Sequence, residues 1–177
     1  RLGHDNLKDI PWVNRIILDG ILHHHERHDG TGYPQQLGGD QISLHGGIIS
    51  ICDVYDALTS SRVYKDAIPP VLAVKKVFKV SGHAWKPGLA EQFIKLVGIF
   101  PVGTAVELSN EHRGIVCRSN TNFPAQPCVL VAQDPSGREI QPQFIDLTRY
   151  IGLRITRSLS AAESALFDIP LLLGGPA

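Results

Sequence analysis

The spacing of apolar residues changes at Phe100-Pro101, and that change most constrains the fold. Before it, apolar residues recur every three or four positions, as amphipathic helices require: Ile17, Leu18, Ile21 and Leu22, then Ile48, Ile51, Cys52, Tyr55 and Leu58. After it come short strand-like runs at Thr104, Val106 and Leu108, at Ile115-Val116-Cys117, and at Cys128-Val129-Leu130-Val131. Turn-formers separate them, among them Asn120-Thr121-Asn122 and Asp134-Pro135-Ser136-Gly137. The chain therefore reads as a helical domain over residues 1–100, a small β-rich subdomain over 101–150, and a C-terminal tail over 151–177. The tail carries a capping-box pattern at Ser160 and Glu163 and a short apolar end, Leu171-Leu172-Leu173.

In the helical part, Gly3-His4-Asp5-Asn6 reads as a loop, and Asn14 is a fair N-cap for a helix starting at Arg15. Further helices are expected over residues 47–61, 71–80 and 89–97. Four of the eight histidines, His23, His24, His25 and His28, fall within six residues. Helical phase puts His24 three residues beyond Ile21 and His25 three beyond Leu22, so both are expected to face inward. His23 lies above Asp19, on the side expected to meet solvent. Asp29-Gly30 and Gly32-Tyr33-Pro34 then break the helix into a loop reaching about residue 39.

A lone histidine on an apolar face is usually a hydrogen-bonded core residue. Two adjacent ones next to Glu26, with Asp53 flanked by Ile49 and Ala57 on a later helix, are costly to bury unless a metal or partner neutralises them. Neutral imidazole is the commonest protein metal ligand, so the core and metal readings both stay open on spacing alone. Arg62 and Lys65 would normally form a solvated face. They follow Asp53 by roughly 13–18 Å along a helix, a reach suited to substrate phosphates, which a guanidinium fork and an ammonium point charge both recognise. The glycines around Thr31 suit either a tight turn or close approach of a ligand, with the Tyr33 ring available for stacking on a base.

The 17 basic and 17 acidic side chains cancel, so no global field draws in a nucleic-acid polymer or an anionic membrane. No apolar stretch approaches the roughly 20 residues needed to span a bilayer. The three cysteines, Cys52, Cys117 and Cys128, form no C-x-x-C pair, which favours reduced thiols in the cytoplasm. The chain has no methionine and opens on Arg1-Leu2-Gly3, which reads as a piece of a longer polypeptide.

Together these residues resemble the HD-GYP family, a bacterial branch of the HD-domain phosphohydrolases. His24-His25-Glu26 with Asp29-Gly30-Thr31-Gly32-Tyr33-Pro34 is similar to the family's HHE-x-x-DG-x-GYP element. Asp53-Val54-Tyr55-Asp56-Ala57-Leu58-Thr59-Ser60 with Arg62, Tyr64 and Lys65 is similar to its second signature. Gly98-Ile99-Phe100-Pro101-Val102-Gly103 resembles the junction that follows the helical domain, and the likeness covers about residues 10–108. It implies a mainly α chain: an HD-domain-like helical bundle, incomplete here at its N-terminus, followed by the β-rich subdomain.

The implied activity is metal-dependent hydrolysis of cyclic di-GMP to pGpG, and in many members onward to GMP, at a centre of two or three metal ions, iron or manganese. The likeness casts His24, His25 and Asp53 as metal ligands and Arg62 and Lys65 as phosphate holders. Gly32, Tyr33 and Pro34 would shape the substrate site and meet regulatory partners. Diguanylate cyclase-type domains are an expected partner, and a homodimer is a separate expectation.

Two departures stand out. The family's His-Asp dyad, its lysine and a further ligand histidine lie well upstream of the HHE element. His4-Asp5 with Lys8 imitates the dyad but sits too close to His24 to leave room for the intervening helices. No catalytic residue is therefore assigned in this chain, which alone is expected to bind metal weakly and be inactive. Gly46-Gly47 stands where relatives commonly carry arginine, a change expected to weaken packing or substrate contact. The alternative reading is a non-catalytic module that binds cyclic di-GMP or docks a protein; a third is a hydrolase of another nucleotide.

Overall fold

The computed structural model describes residues 2–62, 64, 66–165 and 167. Lys65 and the Leu171-Leu172-Leu173 end lie outside the described residues. The chain divides into two compact units, residues 1–68 with 73–93 and residues 69–72 with 94–177.

The first unit is helical. Helix α1 (Leu2–Leu7) occupies the stretch expected to be a loop. It lies against α2 through Gly3, where a Cβ would come within 3.3 Å of Ile21 Cγ2; packing rather than a capping signal holds this short helix. Helix α2 (Arg15–His23) starts as expected, with Asn14 Oδ1 accepting the Ile17 N–H at 3.1 Å. Helix α3 (Leu44–Thr59) begins three residues before its expected start. Ser43 caps it, its hydroxyl accepting the Gly46 N–H at 3.1 Å, and that satisfied donor lets the helix run through Gly46-Gly47.

Helices α4 (Pro70–Lys79) and α5 (Leu89–Val97) follow close to their expected bounds. The core of this unit is Ile51, Val77, Ala84, Trp85 and Ala90, with Val54, Tyr55, Leu89 and Phe93 packed on it. The buried Trp85 indole N–H, which would be costly to leave unpaired, donates to Ser50 Oγ at 3.0 Å. Ile17 and Ile48, expected in the core, are 44% and 43% exposed; with Ile16, Ile21 and Ile49 they line an open apolar depression.

The second unit is an antiparallel sheet of five strands in the order β4-β3-β2-β1-β5. Strands β1 (Ala105–Leu108), β2 (Arg113–Arg118), β3 (Cys128–Gln133) and β4 (Glu139–Asp146) form a meander. Strand β5 (Ile155–Ser158) then returns to pair with β1, with Val106 opposite Ser158. Val106, Leu108, Val116, Val129, Val131 and Leu147 are buried together. Helix α6 (Ala161–Ser164) opens with the expected reciprocal cap between Ser160 and Glu163. Strand and helix thus continue past residue 150. With six helices and five strands among the described residues, the expected helical part and β-rich part are both present, and a mainly α description fits the chain only in part.

Candidate metal and phosphate site

Helix α2 stops at His23, so helical phase does not extend to the two histidines that follow. His24 and His25 lie in a turn, and their exposures differ from expectation. His25 is exposed and His24 half-buried, while His23, expected to face solvent, is half-buried as well. The reason is a specific contact: His23 Nδ1 lies 3.2 Å from the Ser43 nitrogen and 3.2 Å from its hydroxyl. The Ser43 N–H can only donate, so Nδ1 is an acceptor and His23 is a structural clamp between α2 and the cap of α3. Gly46 makes the approach feasible, since a Cβ there would lie 2.5 Å from His23 Cβ.

His24 Nδ1 lies 2.7 Å from the Ile21 carbonyl oxygen. A carbonyl only accepts, so Nδ1 carries the proton and the lone pair is left on Nε2, the arrangement in which a backbone carbonyl orients a ligand imidazole. The His24 and His25 ring centroids are 4.0 Å apart, and the His25 ring stacks on Tyr33 at 4.7 Å. Desolvation, followed by the neighbouring His24, holds the His25 imidazole below its usual range, with Asp53 pulling the other way. The shift favours the neutral form that could bind a metal.

The loop beyond is built on Glu26. This side chain is 2% exposed, and its two oxygens accept the Gln35 N–H at 2.6 Å and the Leu37 N–H at 3.0 Å. Gly32 packs so tightly that a Cβ would collide with the backbone of Glu26 and Arg27. Asp29 accepts from the Thr31 N–H and hydroxyl, and these bonds, with Arg27 nearby, hold its carboxyl down at about 2. His28 and Asp29 donate their N–H groups to the Ala84 and His83 carbonyls, tying the loop to the turn before α5. Tyr33 is thereby presented with 60% of its surface exposed, beside the half-buried Pro34.

Asp53 is exposed on α3, not enclosed by apolar groups as expected. Its carboxylate acts on His25 electrostatically. Arg62 is exposed and lies 3.8 Å from Asp56, one turn before the end of α3. The structure therefore brings His24, His25 and Tyr33 together, with Asp53 within electrostatic reach; it places Arg62 on Asp56. Among the described residues, no three His, Cys, Asp or Glu side chains converge on a point that could hold a metal ion. The donor chemistry of the paired imidazoles fits a transition metal, but the described residues supply only part of a shell.

Sequence reasoning missed the roles of His23, Ser43, Gly46 and Glu26. The signal for Ser43 was present, because a serine just before an apolar helical run is an N-cap pattern; the contact of His23 and Gly46 is tertiary and leaves no local signal.

Residues 3–85 match the family model for the HD domain, so this part of the chain is an HD domain. Among known proteins, a cyclic di-GMP phosphodiesterase of Pseudomonas aeruginosa is 39% identical over 148 residues, covering 83% of this chain and 36% of the relative. A cyclic di-GMP phosphodiesterase of Vibrio cholerae is 48% identical over 79 residues, 45% of this chain and 16% of the relative. A 3'3'-cGAMP-specific phosphodiesterase of the same organism is 52% identical over 46 residues, 26% of this chain and 10% of the relative. The chain thus spans about a third or less of the length of these relatives.

Proposed function

We propose that this chain carries the C-terminal part of the catalytic domain of a metal-dependent, cytoplasmic cyclic di-GMP phosphodiesterase. The observation that carries the reading is the His24-His25 turn. One imidazole is fixed by the Ile21 carbonyl with Nε2 free, and the other is shifted toward its neutral form by desolvation and stacked on an exposed tyrosine. In this reading His24, His25 and Asp53 contribute donors to a centre of two or three iron or manganese ions, completed by residues outside this chain. Such a centre, when bound, activates water at neutral pH and stabilises charge on phosphoryl oxygens.

The chain's own residues do the rest. His24 presents Nε2, Tyr33 offers a face for a guanine ring, and Gly32 and Pro34 fix where that ring stands. Arg62 and Lys65 hold phosphate, Arg62 by leaving Asp56, a weak exposed pair that costs little to break. Cyclic di-GMP is converted to pGpG or GMP. The partners are diguanylate cyclase-type domains and a second copy of the chain. The test is turnover of cyclic di-GMP by the complete protein loaded with manganese or iron, with His24→Ala and Asp53→Ala as the decisive variants.

A second reading is a non-catalytic cyclic di-GMP-binding or protein-docking module. Calorimetry separates the two, since binding without hydrolysis by the complete metal-loaded protein supports the module.

A further inference from the structure

A cavity of about 620 Å³ opens in the helical unit, lined in part by Glu26, His28 and Gly47. It is not the face that carries Asp53. Gly47 and Asp53 are six residues apart on α3, about 600° of helical rotation, so they point some 120° away from each other. Ile42, Trp85 and Leu89 make much of the wall apolar, and Gly47 leaves α3 without a side chain where the helix borders the space.

The unusual feature of this wall is its charge. Glu26 is 2% exposed and both its oxygens accept backbone N–H groups, which uses two of the about four lone-pair sites of a carboxylate. None of the ion pairs among the described residues involves Glu26. Lys86, also on the wall, is 2.6 Å from Asp40 and neutralises that carboxylate instead. A buried carboxylate with no cation beside it among the described residues is costly, and the open space next to it is where a cation would stand.

We propose that this cavity binds a guanidinium or amidinium cation on a short apolar framework, with Glu26 as the counter-charge. A planar, weakly hydrated fork matches a carboxylate with two free acceptor sites and leaves its bulk to the apolar wall, where Trp85 is the aromatic neighbour. An ammonium is more strongly hydrated and loses more on entering such a space. A hard divalent cation needs six or more oxygen donors, and this wall has one unpaired carboxylate. The site is independent of the phosphodiesterase reading.

The test is calorimetry of the 177-residue chain with three probes of one framework: benzamidine, benzylamine and benzyl alcohol. Benzamidine binds saturably and at least about tenfold more tightly than the neutral alcohol, as expected for a charge-assisted pair, with benzylamine between them. Glu26→Gln removes that preference. Gly47→Arg supplies a guanidinium from the chain itself. Its Cβ meets only Leu89 Cδ2, at 3.0 Å and at the end of a flexible side chain, so the variant folds, abolishes benzamidine binding and unfolds at a higher temperature. If Glu26→Gln does not fold, the probe series and Gly47→Arg still decide. Equal binding of benzyl alcohol, undiminished benzamidine binding to Gly47→Arg, or no saturable binding by the unmodified chain overturns the proposal.

Discussion

The Nδ1 atom of His23 is 3.2 Å from both the backbone nitrogen and the hydroxyl of Ser43, so the last residue of α2 is held on the cap of α3. That contact decides where the His24-His25 turn lies relative to Asp53. Gly46, packed on His23, and Asp53 are seven residues apart, about 700° of rotation, and therefore share one stripe of α3 two turns apart.

Replacing Gly46 tests the clamp. A Cβ at 2.5 Å from His23 Cβ must push the helices apart, and Gly46→Val is expected to cost about 1–3 kcal/mol in urea unfolding. A stability unchanged from the parent chain would mean that the approach of α2 to α3 is looser than described.

Glu26 is expected to behave as a structural anchor of the loop. Glu26→Ala leaves the Gln35 and Leu37 N–H groups without their acceptor, a loss of about 1–3 kcal/mol with faster amide exchange at those two positions. Slow exchange at both in the variant would show that the carboxylate does not hold the loop.

In the β unit, Arg157 bridges Glu107 and Glu163 at 2.8 Å each. Glu163 is held down to about 2, chiefly by Arg157 and then by the Ser160 cap, and Glu107 is lowered by the same arginine. Because both folded values lie below the unfolded ones, the contribution is present above about pH 4.5 and is lost as pH falls toward 2. Acid titration of unfolding should therefore show a loss in that window that Arg157→Met flattens; an unchanged slope would count against the bridge.

His25 titrates below its usual range because of desolvation and His24. Its folded state favours the neutral ring, so any stability it contributes is present above about pH 6.5 and falls away as pH drops below it. NMR titration of the ring should give a midpoint below that of a free histidine, and His24→Ala should raise it. A midpoint at or above the free value contradicts the arrangement.

Much of this was legible in the sequence where a local signal agreed with the packing. Asn14 caps α2, Leu89–Val97 is α5, and Ser160 with Glu163 forms the cap of α6, as their patterns require. The break at Phe100-Pro101 separates helices from strands. Other features depended on tertiary contacts that no short window carries. Helix α1 has no cap signal and is held by the contact of Gly3 with Ile21. Strand β4 contains Pro142 among polar residues, tolerable because it is an edge strand, and β5 forms by pairing with β1 about fifty residues earlier. In the site, the motif residues were recognisable, but their orientation was not. Phase arguments fail beyond His23 because the helix ends there, and a half-turn error exchanges solvent and interior for each histidine.

The most direct test of the central claim is the rate of cyclic di-GMP hydrolysis by the complete, metal-loaded protein and its His24→Ala and Asp53→Ala variants. The account predicts turnover to pGpG or GMP that falls by about a hundredfold or more in each variant, with folding intact by circular dichroism. Undiminished hydrolysis in both variants would contradict it.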